Sequence, residues 1–184
     1  MADIKLSSQR CEEIKKIVVE TFVKYGVSCV PINGFEIASK MGITVIPYSA
    51  YTLSNRKFLL KKSEDGFTIE KSIGEWYIFY NDEKGYRRIN NTIMHEIGHI
   101  VLDHTEDSEL AEKEVKFFAK YALAPPVLVH KLKISSPLQL AKLFDVSFEA
   151  AKYAFEYYQK WLEFGGSDYT RYELIMLELF KNVV

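Results

Sequence analysis

The chain has 184 residues, long enough to bury a single hydrophobic core, and 48% of them are apolar while 27% are charged. No apolar run approaches the roughly 18 residues needed to span a bilayer, and 24 basic against 25 acidic residues leave a net charge of −1, with no broad attraction to nucleic acid or anionic membrane. Cys11 and Cys29 form no C-x-x-C pair and read as reduced thiols, and the N-terminus lacks the pattern of a secretion signal, so the expected compartment is the cytoplasm.

Ser7 or Ser8 reads as the N-cap of a helix in which Ile14, Ile17, Val18, Phe22 and Tyr25 share one face and Gly26 closes the last turn. Glu12, Glu13, Lys15, Lys16 and Lys24 read as its solvated face. A shorter helix is expected over residues 34–41, stopped by Gly42, followed by a β-branched strand over residues 43–48 that its proline ends. Ser54 is placed to cap a helix holding Phe58, Leu59 and Leu60, and Asp65-Gly66 to turn the chain. Strands at 67–70 and 75–80 join through Ser72-Ile73-Gly74, and the edge of the second, if unpaired, would suit an extended peptide. After a surface turn at residues 81–85, Asn90 or Asn91 is expected to cap the next helix.

That helix carries His95-Glu96-Ile97-Gly98-His99. Residues four apart on a helix lie on one face a turn apart, so both imidazoles can reach one metal ion, with Glu96 beside it but not bound to it. Ile93, Ile97, Ile100 and Val101 recur at helical spacing, as in a buried helix with its polar edge turned to a cleft. A hydrolytic zinc site takes three protein ligands and keeps a fourth position for water, so one more ligand is required. His104 lies nine residues after His95, with Leu102 where the metzincin pattern has glycine; it reads as a neighbour of the ligands or a surface residue.

A polar break at residues 105–108 leads to a helix over residues 109–124, stopped at Pro125-Pro126. Ala111, Val115, Phe118, Ala119 and Ala122 form its buried face, with Glu112 at one margin and Glu114 on the other side, and periodicity alone does not choose between the two as the third ligand. Ser136-Pro137 and Ser147 start two further helices, whose balanced charge argues against a DNA-reading pair; the cluster Tyr153, Tyr157, Tyr158 and Trp161 reads as packing. Beyond Gly165-Gly166, an appended helix over residues 168–184 carries Tyr172, Ile175, Met176, Leu179 and Phe180, too many apolar residues to stay solvated, so docking on the domain or joining two chains must cover them.

His-Glu-Ile-Gly-His followed by Glu112-x-Glu114-x-x-x-Phe118-Ala119 and Leu123-Ala124-Pro125 resembles the ImmA/IrrE family of zinc metallopeptidases, more loosely from about Gly42 to Trp161. The resemblance implies Zn2+ held by His95, His99 and Glu112, with Glu114 as a neighbour of that set; Val115 departs from the family's usual alanine. It also implies action on, or relief of, a helix-turn-helix transcriptional repressor encoded nearby on a prophage or mobile element.

The combined expectation is an α+β, zincin-like fold: a small, mostly antiparallel sheet on a helical core over residues 1–164, with the histidine helix inside it, extra C-terminal helices, and an appended helix over 165–184. The expected function is zinc-dependent endopeptidase chemistry with Glu96 as general base. His104, Tyr77, Tyr80 and Arg87 are candidates for stabilising the transition state. The alternative is a non-catalytic antirepressor that sequesters the repressor on the same fold; a small-substrate enzyme is a weaker third reading. The expected partner is a protein, with no direct nucleic acid or membrane contact, and the oligomeric state is a monomer or homodimer.

Overall fold

The computed structural model describes residues 5–106, 108–166 and 168–183; residues 1–4 of the segment read for a secretion signal, Asp107 of the polar break and Val184 of the final helix lie outside the described residues. Helix α1 (Ser8–Tyr25) begins where the Ser7 hydroxyl accepts the Arg10 N–H, and ends at Gly26 in the left-handed region (φ 61). Its stripe of Ile14, Val18, Val19 and Phe22 is buried. The opposite face is not uniformly solvated: Glu12 accepts a 2.6 Å hydrogen bond from the Tyr172 hydroxyl, and the Lys15 side chain is only 13% exposed. Nothing in the helix itself foretells that a distant segment folds over its charged side.

Helix α2 (Gly34–Lys40) is capped by Asn33, and strand β1 (Thr44–Pro47) runs into a 3-10 turn at Tyr48–Ala50. Thr52, not Ser54, caps α3 (Leu53–Lys62). Gly66 opens β2 (Gly66–Ser72) instead of ending the turn before it, and β2 returns through Gly74 (φ 76) as β3 (Glu75–Tyr80). The sheet order is β1-β3-β2, with β3 antiparallel to β2 and parallel to β1. The second strand of the hairpin is therefore the central one, and its edge cannot receive a peptide. Trp76-Tyr77-Ile78-Phe79-Tyr80 is an apolar run suited to a strand with neighbours on both sides, and the outer edges belong to β1 and β2.

Helix α4 (Tyr86–Val101) starts at Gly85, several residues before the expected asparagine cap. Asn90 lies inside it and is 3% exposed. Its Oδ1 accepts the Gly34 N–H at 2.7 Å and its Nδ2 donates to the Ile32 carbonyl at 3.0 Å, so it fastens the start of α2 to the histidine helix. Tertiary bonds thus override the usual preference of asparagine for helix ends.

Helix α5 (Glu109–Leu123), capped by Ser108, packs along α4 and α1. Pro125-Pro126 ends it as expected, but Pro126 immediately becomes the first residue of α6 (Pro126–Lys131), a position that needs no N–H. Helices α7 (Pro137–Leu143) and α8 (Phe148–Glu163) carry the expected Ser136 and Ser147 caps. In α9 (Arg171–Leu179), Thr170 and Glu173 form a reciprocal capping box.

Helix α9 docks on α1 and α6. Phe180 lies against Phe22 with ring centroids 5.9 Å apart, and Tyr172 and Met176 are buried beside them. Ile175 is exposed, contrary to the expected apolar face, because Glu173 takes an inward position, where it accepts the Trp161 Nε1–H at 2.7 Å. The architecture is α+β, with one core that runs from α1 through α4 and α5 to α8 and α9.

Candidate metal centre

The cluster begins with the close approach of α4 and α5. Gly98 makes it possible: a Cβ there would lie 3.1 Å from Phe118 Cδ1 and 3.3 Å from Val115 Cβ and Cγ1. With the two backbones this near, the first turn of α5 sets Glu112 opposite the two histidines.

His95 Nε2 lies 3.6 Å from one Glu112 carboxylate oxygen and His99 Nε2 lies 3.3 Å from the other. Each of the three residues offers a ligand atom within 4.8 Å of the others. Donors about 2.0–2.2 Å from a tetrahedral ion are separated by about 3.4 Å, and each nitrogen stands near that distance from one of the two carboxylate oxygens, so the cluster is of the size such an ion needs. The side chains of His95 and His99 remain 19% and 17% exposed, which leaves the cluster open to a substrate.

The charge states suit a cation. Burial pushes His95 below its ordinary pKa, more than the Glu112 charge raises it, so its ring is neutral at pH 7 with a lone pair to give. Burial pushes the Glu112 carboxyl up, but the two imidazoles and Lys116 together outweigh it and hold the group below the usual range. Lys116 Nζ stands 3.6 Å from that carboxylate.

Glu96 is 7% exposed and stands outside the ligand set. It is near enough to Tyr48 to act on it: burial first, then the Glu96 charge, pushes the Tyr48 phenol up to about 12, while the hydroxyl donates to the Ser63 carbonyl at 3.1 Å.

His104 and Glu114 form the other side of the centre. Leu102 ends α4, and Asp103 takes the left-handed conformation (φ 55). The His104 N–H then returns to the His99 carbonyl at 3.1 Å and the Asp103 N–H to the Ile100 carbonyl at 3.3 Å, a Schellman ending that folds His104 back over the helix. Its Nδ1 lies 3.3 Å from His99 Nδ1, and its Nε2 lies 3.0 Å from Glu114 Oε2. Glu114 is 5% exposed and is held by Arg10 of α1 through two parallel bonds, Nε to Oε1 at 2.8 Å and Nη2 to Oε2 at 2.6 Å. These bonds keep its pKa below the usual carboxylate range, against the opposing effect of burial.

Of the two glutamates that periodicity left open, Glu112 therefore meets the histidine nitrogens, while Glu114 is the buried one, balanced by an arginine and a histidine. Tyr77 donates its hydroxyl to Glu75 at 2.7 Å, Tyr80 packs edge-on against Phe35, and Arg87 pairs with Asp145 at 2.7 Å. Arg10 was not visible as a site residue, since 104 positions separate it from Glu114. The only available clue was chemical: a buried carboxylate needs a cation. A cavity of about 540 Å3 between α4, α5 and α8 is lined by Asn91, Lys120, Tyr153 and Tyr157 among others, and not by His95, His99 or Glu112.

No curated protein matches the sequence. The family model described as the IrrE N-terminal-like domain, a peptidase family, matches residues 38–156, more than half of the chain. That span contains both helices of the cluster and excludes α1 and α9. With the motif residues brought together as a site for a metal, the chain belongs to the ImmA/IrrE family of metallopeptidases.

Proposed function

We propose that this protein is a zinc-dependent endopeptidase of the cytoplasm, and that its substrate is a helix-turn-helix transcriptional repressor encoded near it on a prophage or mobile element. The observation that carries the reading is the position of Glu96: a buried carboxylate one residue from His95 and outside the His95, His99 and Glu112 set. Zinc is the ion suited to two imidazoles and one carboxylate, and when bound it lowers the pKa of a coordinated water toward about 7 and polarises a peptide carbonyl. Glu96 takes the proton from the attacking water and returns it to the leaving amine. β1 and β2 are the edge strands of the sheet, and an extended peptide substrate would pair with one of them through its backbone. The substrate class rests on the family resemblance alone.

The test is co-expression with the neighbouring repressor, scored by fragments on a gel. Wild type should give fragments, whereas Glu96→Gln should keep fold and metal but give none. Equal fragment yield from the variant removes Glu96 from the mechanism. Relief of repression by wild type without any fragments favours the sequestering antirepressor instead.

A further inference from the structure

We propose that the N-terminal helix α1, outside the family-matched region, supplies the last link of the metal centre: Arg10, acting through Glu114 and His104, fixes the tautomer and orientation of His99. The inference rests on the metal-binding reading above.

The proton positions follow from the bonding pattern. His99 turns Nε2 toward Glu112 and Nδ1 toward His104, at 3.3 Å in each case. A ligand bond from Nε2 requires the ring proton on Nδ1, which then donates to His104 Nδ1. His104 must accept at Nδ1, so its own proton sits on Nε2 and is donated to Glu114 Oε2 at 3.0 Å. The carboxylate only accepts, and it is held from its other side by the Arg10 fork, whose Nη1 is in turn bonded to Glu13 at 3.1 Å. Along the chain Arg10, Glu114, His104, His99 each link thus has one donor and one acceptor, and each imidazole admits one tautomer. Groups that hold the distal nitrogen of a ligand histidine typically change metal affinity by about 10–100-fold when removed.

A bulk electrostatic role for Arg10 has the opposite sign. Removing a cation near a dication site tightens binding by Coulomb repulsion relieved, whereas losing an orienting link weakens it. His104 also distinguishes orientation from packing: asparagine can present an acceptor where Nδ1 stands, whereas phenylalanine fills the space with none.

The experiment measures zinc affinity of the full chain by competition with a chromogenic chelator, with circular dichroism and thermal melting of the metal-free protein as fold controls. Arg10→Met should bind zinc about tenfold more weakly and Arg10→Lys should recover part of the loss. His104→Phe should lose about 10–100-fold and His104→Asn less. The double variant Arg10→Met with His104→Phe should be no weaker than His104→Phe alone, because the route from Arg10 is already cut. Unchanged or tighter binding by Arg10→Met, or additive losses in the double variant, overturns the proposal; should Arg10→Met fail the fold controls, Arg10→Lys and Glu114→Gln carry the same comparison. Zinc binding by wild type with an unaffected Arg10→Met refutes this inference alone, whereas a wild type that binds no zinc refutes the functional reading beneath it.

Discussion

Gly98→Ala places one methyl group in the contact that brings the two motif helices together. The added carbon would sit 3.1 Å from Phe118 Cδ1 and 3.3 Å from two carbons of Val115, against an ordinary carbon contact of about 3.5–4.0 Å. Phe118 and Val115 are both 0% exposed, so neither can swing away. Alanine gains about 1 kcal/mol of helix propensity over glycine, and overpacking a filled core costs about 1–3 kcal/mol; the net is a destabilisation of about 0–2 kcal/mol. The more telling effect is geometric: relief of the clash moves α4 and α5 apart by a few tenths of an ångström, and Glu112 moves away from His95 and His99. Urea unfolding of the metal-free protein should thus show a modest loss, while chelator competition shows zinc affinity lower by on the order of tenfold, as for other disturbances of ligand orientation. Adding Val115→Ala removes the Cγ1 contact, one of the three close ones, while the Cβ at 3.3 Å stays, and should restore part of the zinc affinity. Stabilisation by about 1 kcal/mol with unchanged zinc affinity would mean the contact takes a methyl group without moving the helices, and the reasoning from their close approach would fail.

Metal analysis should find about one zinc per chain in wild type, none in Glu112→Gln, and retained but weaker zinc in Glu114→Gln; loss in the second variant alone would exchange their roles. Phe180→Ala, which empties a fully buried position against Phe22, should cost about 3–5 kcal/mol in denaturant unfolding without changing zinc stoichiometry. Asp65 accepts two bonds from Arg88, at 2.6 and 2.8 Å, and that contact first of all holds its pKa below the ordinary value, against burial. Because the folded value is the lower one, the contribution is present above about pH 3.9 and is lost as pH falls through the folded value. Asp65→Asn should therefore cost about 1 kcal/mol or less at pH 7, as expected for an exposed pair, and the difference from wild type should vanish in acid; a difference that grows in acid would contradict the assignment.

Much of this molecule is legible in one dimension. The spacing of His95 and His99 is a property of any α-helix, so their shared face needs no knowledge of the fold. Capping is local too, and Ser7, Gly26, Ser136 and Ser147 stand where the sequence puts them. Local preference misleads where a tertiary bond competes with it. Asn90 leaves the cap position because the start of α2 offers both halves of its amide a partner, and Glu173 turns inward because Trp161 and its own capping box await it. The strand order was equally out of reach, since an apolar run with neighbours on both sides does not say which neighbours they are.

The same division runs through the metal centre. By itself the sequence determined which residues can bind a metal, and that a glutamate from the next helix should join the two histidines. Periodicity could not say which glutamate, because Glu112 and Glu114 flank the same buried stripe; only the family resemblance pointed to Glu112. Tertiary structure decided that by distance and charge together: α5 crosses α4 at Gly98 with Glu112 toward the histidine nitrogens, and α1 brings Arg10 to Glu114 from 104 residues away. Periodicity describes the faces of one helix, whereas the balance of a buried charge depends on whatever the fold sets beside it.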